Sequence, residues 1–229
     1  MRDRDKFASI CLLLVFCLNF APACRSSRAE SVAAVPKDYT LIDEFAPTFY
    51  RILDEDADEW PDEERTEALQ TRKGNLLAYV APAFKAKLDV EGSARLRDGR
   101  VVNFDQKYDG RWTYLVTRNA PYGISASGYK LIPYRTLAVD PHVVPLGTVV
   151  YLPALDGVRL PSGEIHDGFC LTDDTGQGID GRRIDVFVGF ENDEDNTLTR
   201  SGRIADMEPV RVYRVDDATA RRVRARFNS

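Results

Sequence analysis

The chain has 229 residues, of which 44% are hydrophobic and 29% are charged, a composition typical of a folded globular protein. Its formal net charge of −5 disfavours a surface that binds nucleic acid by charge alone, and it disfavours adhesion of the whole protein to an anionic bilayer. We therefore expect one domain with a short preamble, and no nucleic-acid partner.

The N-terminus has the pattern of a secretory signal. Three basic residues stand among the first six, and residues 7–21 are almost wholly apolar. A run of about 15 residues is too short to cross about 30 Å of hydrocarbon. Small residues follow at 21–23, as they do before a signal cleavage site. We predict a signal peptide over residues 1–23 and an exported protein of the bacterial cell envelope.

Cys24 directly follows this stretch, where a bacterial lipoprotein signal places its acylated cysteine. Ala21 stands where leucine is more usual, so the lipoprotein pattern is incomplete. The alternative is ordinary cleavage and a disulfide between Cys24 and Cys170, because Cys11 and Cys17 leave with the signal. We favour a lipid anchor at Cys24, which would hold the protein on the outer membrane, in the periplasm.

The next two segments are predicted to precede the main domain. Residues 24–37 are small and polar, which is typical of a flexible tether. We expect residues 38–77 to form a partly helical N-terminal extension. A short helix is predicted at 62–72, because Pro61 and the acidic residues after it suit the first turn of a helix.

From residue 78 onward, short runs of Val, Ile, Leu, Phe and Tyr alternate with Gly, Pro and Asp. This pattern is typical of an all-β barrel or sandwich and not of alternating strands and helices. We predict a single β domain over residues 78–215 and a tail over 216–229 that either forms a basic helix or frays. The predicted strands are 86–96, 100–106, 111–117, 136–140, 147–153, 168–173, 182–188 and 209–214.

Three segments place aspartates beside turns or strand ends, and they contain Asp140, Asp174 and Asp185. Taken singly, each has an ordinary explanation as a turn or loop residue. In the segment that begins at Arg183, the period of two along a strand puts Asp185 and Phe187 on one face. Ile184, Val186 and Val188 lie on the opposite face. Phe187 would raise the pKa of Asp185 by desolvation, whereas Arg183 would lower it, and the sequence leaves this balance open.

Four motifs follow one another along the chain: Ala138-Val139-Asp140-Pro141, Val144-Pro145-Leu146-Gly147-Thr148, Asp174-Thr175-Gly176 and Arg183-Ile184-Asp185-Val186-Phe187. Together they resemble the 3D (three-aspartate) domain, the double-psi β-barrel shared with membrane-bound lytic transglycosylase A. The upstream segments 91–96 and 98–103 resemble the stretch that opens the barrel in such proteins.

The resemblance implies a mainly β fold with a six-stranded double-psi β-barrel. It also implies lytic cleavage of peptidoglycan between N-acetylmuramic acid and N-acetylglucosamine, with Asp185 as the catalytic acid/base. The partner would be the glycan strand, and no cofactor or metal is implied. The other predicted site residues, which would bind sugar or support Asp185, are Asp140, Asp173, Asp174, Thr175, Gly176 and Tyr134.

Two features depart from the family pattern. The usual glycine-rich step after Asp-Thr-Gly is here the segment 177–181, which adds Ile179 and Asp180. The chain is also short, so we expect it to lack the second domain that walls the glycan groove in the large transglycosylase.

Two other functions remain open. One is a glycoside hydrolase in which Asp185 is the acid and Asp140 or Asp174 activates water. The other is a non-catalytic, expansin-like wall-binding module that would use the tyrosines of the groove (Tyr122, Tyr129 and Tyr134).

Overall fold

The computed structural model describes residues 34–56, 60 and 64–227. The predicted signal peptide, Cys24 and residues 25–33 of the tether lie outside this part of the chain. Within it, no helix is both long and apolar enough to cross a bilayer.

The described residues form strands for the most part. In chain order the elements are β1 (Thr40–Tyr50), β2 (Leu53–Asp54), β3 (Glu67–Gln70), β4 (Leu76–Val80), α1 (Pro82–Glu91), β5 (Ser93–Arg95), β6 (Val101–Tyr108), β7 (Arg111–Val116), β8 (Thr136–Val139), β9 (Thr148–Tyr151), β10 (Phe169–Asp174), β11 (Arg183–Phe187), α2 (Thr197–Arg200), β12 (Val210–Arg214) and α3 (Asp217–Phe227).

Six of the strands close into a barrel in the order β1-β11-β8-β10-β9-β12, and β12 pairs with β1 to complete the ring. The pairs β1–β11 and β8–β10 are parallel, and the other neighbours are antiparallel. The predicted mainly β fold with a six-stranded double-psi barrel is confirmed.

The barrel core explains the orientation of β11. Ile184, Val186 and Val188 are buried in the barrel core with residues such as Leu137 and Val150. Because side chains alternate along a strand, Asp185 points to the outside of the barrel, as predicted. The aspartate is therefore held on a rigid element, with its backbone paired on both sides.

A second layer consists of the sheet β2-β5-β6-β7, the hairpin β3–β4 and helix α1. It has its own core, formed by Leu53, Leu69, Phe84, Leu88 and Tyr114 among others. In this layer, the helix and the hairpin cover the small sheet.

Helix α1 replaces the first half of the strand predicted at 86–96. Pro82 stands in its first turn, and Phe84 and Leu88 are one turn apart and buried. Gly92 ends the helix in the left-handed conformation (φ 79°), and its N–H donates to Leu88 O at 2.9 Å. The extended structure predicted for residues 86–96 therefore begins only at β5.

Segment 38–77 also differs from the predicted helical extension. β1 is a barrel strand, because Phe45, Pro47 and Phe49 alternate into the core. The helix predicted at 62–72 is not formed over the described residues 64–72. Strand β3 lies there instead, since Leu69 is buried against β4. In the predicted tail the helical alternative is observed as α3, which buries Val223.

Candidate active site

A cleft of about 1020 Å³ lies between the barrel and the second layer. Its barrel wall carries the polar side chains Tyr50, Asp174, Thr175, Gln177 and Asp185. The opposite wall carries Glu91, Asn103, Phe104, Gln106, Lys107 and Trp112.

Asp185 lies on the barrel wall opposite Thr48 of β1 in the strand register. Its Oδ1 atom is buried and has no hydrogen-bond partner among the described residues. Burial raises the pKa of Asp185 to about 6, with smaller opposing effects from Thr48, which lowers it, and Glu91, which raises it. Arg183 lowers this pKa too, but less than burial raises it, which answers the question left open by the sequence.

Asp174, at the end of β10, shares the cleft and is fixed by three donors. The Tyr50 hydroxyl donates to Oδ2 at 2.8 Å, while the backbone N–H groups of Ala126 and Thr175 donate to Oδ1 at 2.8 and 3.0 Å. Burial nevertheless raises the pKa of Asp174, because desolvation outweighs these hydrogen bonds. The same burial raises the pKa of Tyr50 well above its usual value, so the phenol remains a donor.

The loop that supplies the Ala126 N–H is tied to the second layer. Asn103 of β6 donates from Nδ2 to Ile124 O at 2.8 Å and accepts from Ile124 N at 3.0 Å. Gly123 makes this approach possible, since a Cβ there would lie 2.4 Å from Asn103 Oδ1 and its φ is 95°. The neighbouring Ser125 lines the cleft with a buried hydroxyl that has no hydrogen-bond partner among the described residues.

Asp140 does not line the cleft. Its two carboxylate oxygens accept from the backbone N–H groups of His142 and Gly181, at 2.9 and 2.8 Å. The bonds from Gly181 and His142 lower the pKa of Asp140. This aspartate therefore fixes the end of the 175–181 loop, and the structure brings two of the three signature aspartates together instead of three.

The unusual step after Asp174-Thr175-Gly176 folds onto the same loop. Ile179 is buried, and a Cβ on Gly176 would lie 2.9 Å from its Cγ1 atom. Arg183 donates to Gly178 O at 3.1 Å. The additional side chain is thus a packing residue, and Gln177 is the member of the step that lines the cleft.

Two other predicted site residues lie away from the cleft. Asp173 is buried on the opposite face of β10 and forms an ion pair with Arg224 of α3. Tyr134 is buried, and its hydroxyl donates to Glu191 at 2.8 Å. Thr175 and Gly176, in contrast, line the cleft.

The opposite wall contains groups that the sequence reasoning missed. Glu91, at the end of α1, pairs with Lys87 at 2.8 Å. Trp112 packs on Phe104 with ring centroids 4.7 Å apart, and Lys107 Nζ lies 4.3 Å from the centre of the Trp112 ring. The available signals were the position of Glu91 at a helix end and the rarity of tryptophan, of which the chain has two.

Three solved structures are similar to the chain. The chain is similar to the solved structure of Escherichia coli MltA with bound chitohexaose, at 14% identity and a TM-score of 0.51, covering 75% of this chain and 71% of that one. A membrane-bound lytic murein transglycosylase from Agrobacterium tumefaciens matches at 15% identity and a TM-score of 0.48, covering 78% and 75%. The lytic transglycosylase LtgG of Burkholderia pseudomallei matches at 21% and 0.38, covering 75% and 70%.

No curated protein sequence matches the chain. At 14% identity, the likeness to MltA is evidence for a shared fold and not for a shared reaction. Residues 135–208 match the sequence profile of the 3D domain, and this stretch includes Asp140, Asp174 and Asp185. Residues 135–208 are therefore similar to the 3D domain, and the barrel resembles that of MltA in its fold.

Proposed function

We propose that the protein is a peptidoglycan lytic transglycosylase that cleaves the bond between N-acetylmuramic acid and N-acetylglucosamine, with Asp185 as a single acid/base. The observation that carries the proposal is the carboxyl of Asp185. It faces a large cleft, is partly buried, has an unpartnered oxygen and has a pKa raised to about 6. A carboxyl that holds its proton near neutral pH is suited to general acid catalysis.

The reaction needs one group that first gives and then takes a proton. Asp185 would protonate the oxygen that leaves C1 of N-acetylmuramic acid as the glycosidic bond breaks. The resulting carboxylate would then accept the proton of the C6 hydroxyl as O6 bonds to C1, which gives a 1,6-anhydro product and restores the acid. Water does not take part, so the reaction requires no second carboxylate to activate it.

Asp174 and Tyr50 would support this step without exchanging protons. The negative charge of Asp174 contributes to the raised pKa of Asp185. Asp174 itself is fixed by Tyr50 and two backbone donors, so its position does not depend on substrate. A preorganised neighbour of this kind keeps the proton-transfer group at its working pKa.

The form of the cleft supports a glycan as the substrate. Its volume of about 1020 Å³ is at the upper end for ligand sites, and it combines polar groups with the aromatic pair Phe104 and Trp112. The related E. coli MltA has been solved with bound chitohexaose. We therefore expect this chain to hold several sugar units between its two walls.

The proposal is tested by incubating the protein with purified sacculi and analysing the soluble products by mass spectrometry. We expect anhydro-muropeptides from the wild type and none from Asp185→Asn. Asp180→Asn is the matched control, because Asp180 is exposed on the adjoining loop and does not line the cleft. Equal product release by Asp185→Asn would refute the assignment, and binding without release would indicate a wall-binding module.

A glycoside hydrolase is the second candidate, favoured by one specific observation. Glu91 lines the same cleft and lies near enough to Asp185 to raise its pKa. A water between the two carboxyl groups would give hydrolysis with reducing-end products. Asp140 lies off the cleft and Asp174 is held by three donors, so Glu91 is the better candidate base. The same mass spectra distinguish the two reactions, because hydrolysis adds a water to the product.

We also propose that the chain is exported and acylated at Cys24. The support is the sequence pattern, together with Cys170, which is buried in the barrel core and whose thiol pKa burial raises to about 12. A thiol in that position is poorly placed for a disulfide with the N-terminus. Mass spectrometry of the membrane-extracted N-terminal peptide should find diacylglycerol on Cys24. The Cys24→Ser variant should instead appear in the soluble fraction. An unmodified Cys24 in the wild type would contradict the anchor.

A further inference from the structure

A basic pocket of about 640 Å³ adjoins the cleft on the second layer. The turn of hairpin β3–β4 contributes Arg72 and Lys73, and hairpin β6–β7 contributes Tyr108 and Arg111. Gln106 of β6 lines both this pocket and the cleft, so the two are neighbours. Arg111 donates to Gln70 of β3 at 3.4 Å, which links the two hairpins.

The pocket is positively charged, and its charges are not neutralised. Among the described residues, none of Arg72, Lys73 and Arg111 forms an ion pair, and no acidic side chain lines the pocket. The nearby Asp109 occupies the turn of β6–β7 at a φ of 51° and is not part of the lining. Lys107 adds a further positive charge at the edge of the cleft. In a chain with net charge −5, this local excess favours an anionic ligand.

Exposed basic residues at hairpin turns usually interact with solvent only. Three observations distinguish this set. The charges come from two separate hairpins that line one depression, Gln106 and Tyr108 add neutral polar groups to its lining, and Gln106 also lines the cleft. An anion bound there can therefore belong to a molecule that also occupies the cleft.

We propose that the basic pocket binds carboxylates of the peptide stem carried by the N-acetylmuramic acid of the substrate. This inference rests on the proposed function, because it requires a peptidoglycan strand in the cleft. The stem branches from the sugar beside the scissile bond and bears several carboxylates, whereas a strand stripped of its stem keeps only the single lactyl carboxylate of each N-acetylmuramic acid. Arginine forms paired hydrogen bonds to a carboxylate, and lysine supplies a mobile charge.

The pocket would then make the protein selective for peptide-bearing over denuded strands. Because the basic side chains are exposed and screened by salt, we expect a moderate effect, a KM about 3- to 10-fold lower for peptide-bearing strands at low salt. The value of kcat should be similar for both substrates, since the pocket does not contact the reacting atoms. Raising the salt concentration should reduce the preference.

The test compares peptide-bearing strands with strands denuded by an amidase, using the full chain and the double variant Lys73→Gln/Arg111→Gln. We expect the variant to lose the preference and its salt dependence, with unchanged kinetics on denuded strands. The matched control is Arg118→Gln/Arg221→Gln, which removes the same charge from two exposed sites outside both pockets. An unchanged preference in the pocket variant, or an equal loss in the control, would overturn the inference.

Binding must be measured separately so that the two proposals can fail independently. Calorimetry with GlcNAc-MurNAc-tetrapeptide and with GlcNAc-MurNAc gives the preference without cleavage. Tighter binding of the peptide-bearing ligand, lost in the pocket variant, with no cleavage would refute the proposed function and retain the pocket. Cleavage of both strands with equal KM and equal affinity would refute the pocket and retain the function. Thermal unfolding of each variant verifies that it is folded.

Discussion

The two walls of the cleft are built in different ways. On the barrel wall, Asp185 and Asp174 are partly buried on paired strands, and backbone or phenol donors hold Asp174 in place. On the second-layer wall, Lys107 is exposed, and Trp112 is only partly covered by Phe104. Burial on a rigid wall changes the proton affinity of a carboxyl group such as Asp185. Aromatic and basic side chains that remain partly exposed instead offer a ligand contact area and charge.

The difference indicates a division of work under the proposed function. The barrel would carry the proton transfer, and the smaller layer would hold the strand. Substitutions on the barrel wall should then change kcat, and those on the other wall should change KM. Each prediction below tests or sharpens this division, in order of decreasing effect.

Replacing one carboxyl group on each wall by an amide, in separate variants, gives the largest expected contrast in kcat. Asp185→Asn should lower kcat by about 10²- to 10⁴-fold, because an amide cannot transfer the proton. Glu91→Gln should lower kcat by less than about 10-fold if Asp185 acts alone. The rate of soluble muropeptide release measures both. Comparable losses in the two variants would break the division and favour the hydrolase that uses both walls.

The barrel wall should also depend on the ion pair between Arg224 of α3 and Asp173 of β10. Arg224→Ala would leave Asp173 as a buried, unpaired charge next to Asp174, and we expect a loss of about 3 kcal/mol in the free energy of unfolding. Urea denaturation measures this. Arg221→Ala is the control on the same helix, since Arg221 is exposed and has no ion pair among the described residues. Equal stability of the two variants would show that α3 does not support the site.

Asp185 should lower the free energy of unfolding near neutral pH, where the proposed reaction would use it. Its folded-state pKa of about 6 lies above the unfolded value of about 3.9, so the folded protein binds the proton more tightly. Stability is therefore lost as pH rises between these values. Asp185→Asn should raise the free energy of unfolding by ~1–3 kcal/mol at pH 8, relative to its effect at pH 4. Thermal unfolding across this range measures the difference, and an equal effect of the substitution at both pH values would contradict the raised pKa of Asp185.

The smallest expected effect belongs to the second wall. Trp112→Ala should raise KM for glycan strands about 3- to 10-fold while kcat stays within about two-fold, because the ring supplies contact area and no proton. Trp112→Phe should recover most of the affinity. Since Trp112 also packs on Phe104, thermal unfolding must accompany the kinetics. A fall in kcat without a change in KM would place Trp112 nearer the reaction than we propose.

The sequence predicted those parts of the site that depend on local pattern. The period of two along β11 placed Asp185 on the outer face, and the Asp-Thr-Gly turn placed Asp174 and Thr175 at a strand end. Asp140 satisfied the same pattern, but its oxygens are used by the N–H groups of His142 and Gly181. A motif identifies a carboxylate, but the hydrogen bonds of its own loop decide whether that carboxylate faces the cleft.

The remaining parts depend on contacts between distant segments. Tyr50 reaches Asp174 because β1 pairs in parallel with β11, across more than a hundred residues. No local pattern encodes that register, and segment 38–77 was accordingly predicted to be an extension. Residues 86–91 were predicted as strand because apolar spacing alone does not distinguish a short strand from a helix begun by Pro82. The opposite wall was missed because no local pattern shows that strands β6 and β7 face the barrel across the cleft.

The closure of the ring has a consequence for when the site can exist. β1, near the start of the described residues, pairs on one side with β11 and on the other with β12, which ends at Arg214. Thr48, Tyr50 and Asp185 therefore meet only after almost the entire chain is available, and such long-range pairing folds slowly. Under the proposed export and activity, a nascent or partly translocated chain would have no assembled cleft, and the fold itself would postpone reactivity until the strands from β1 to β12 are all available.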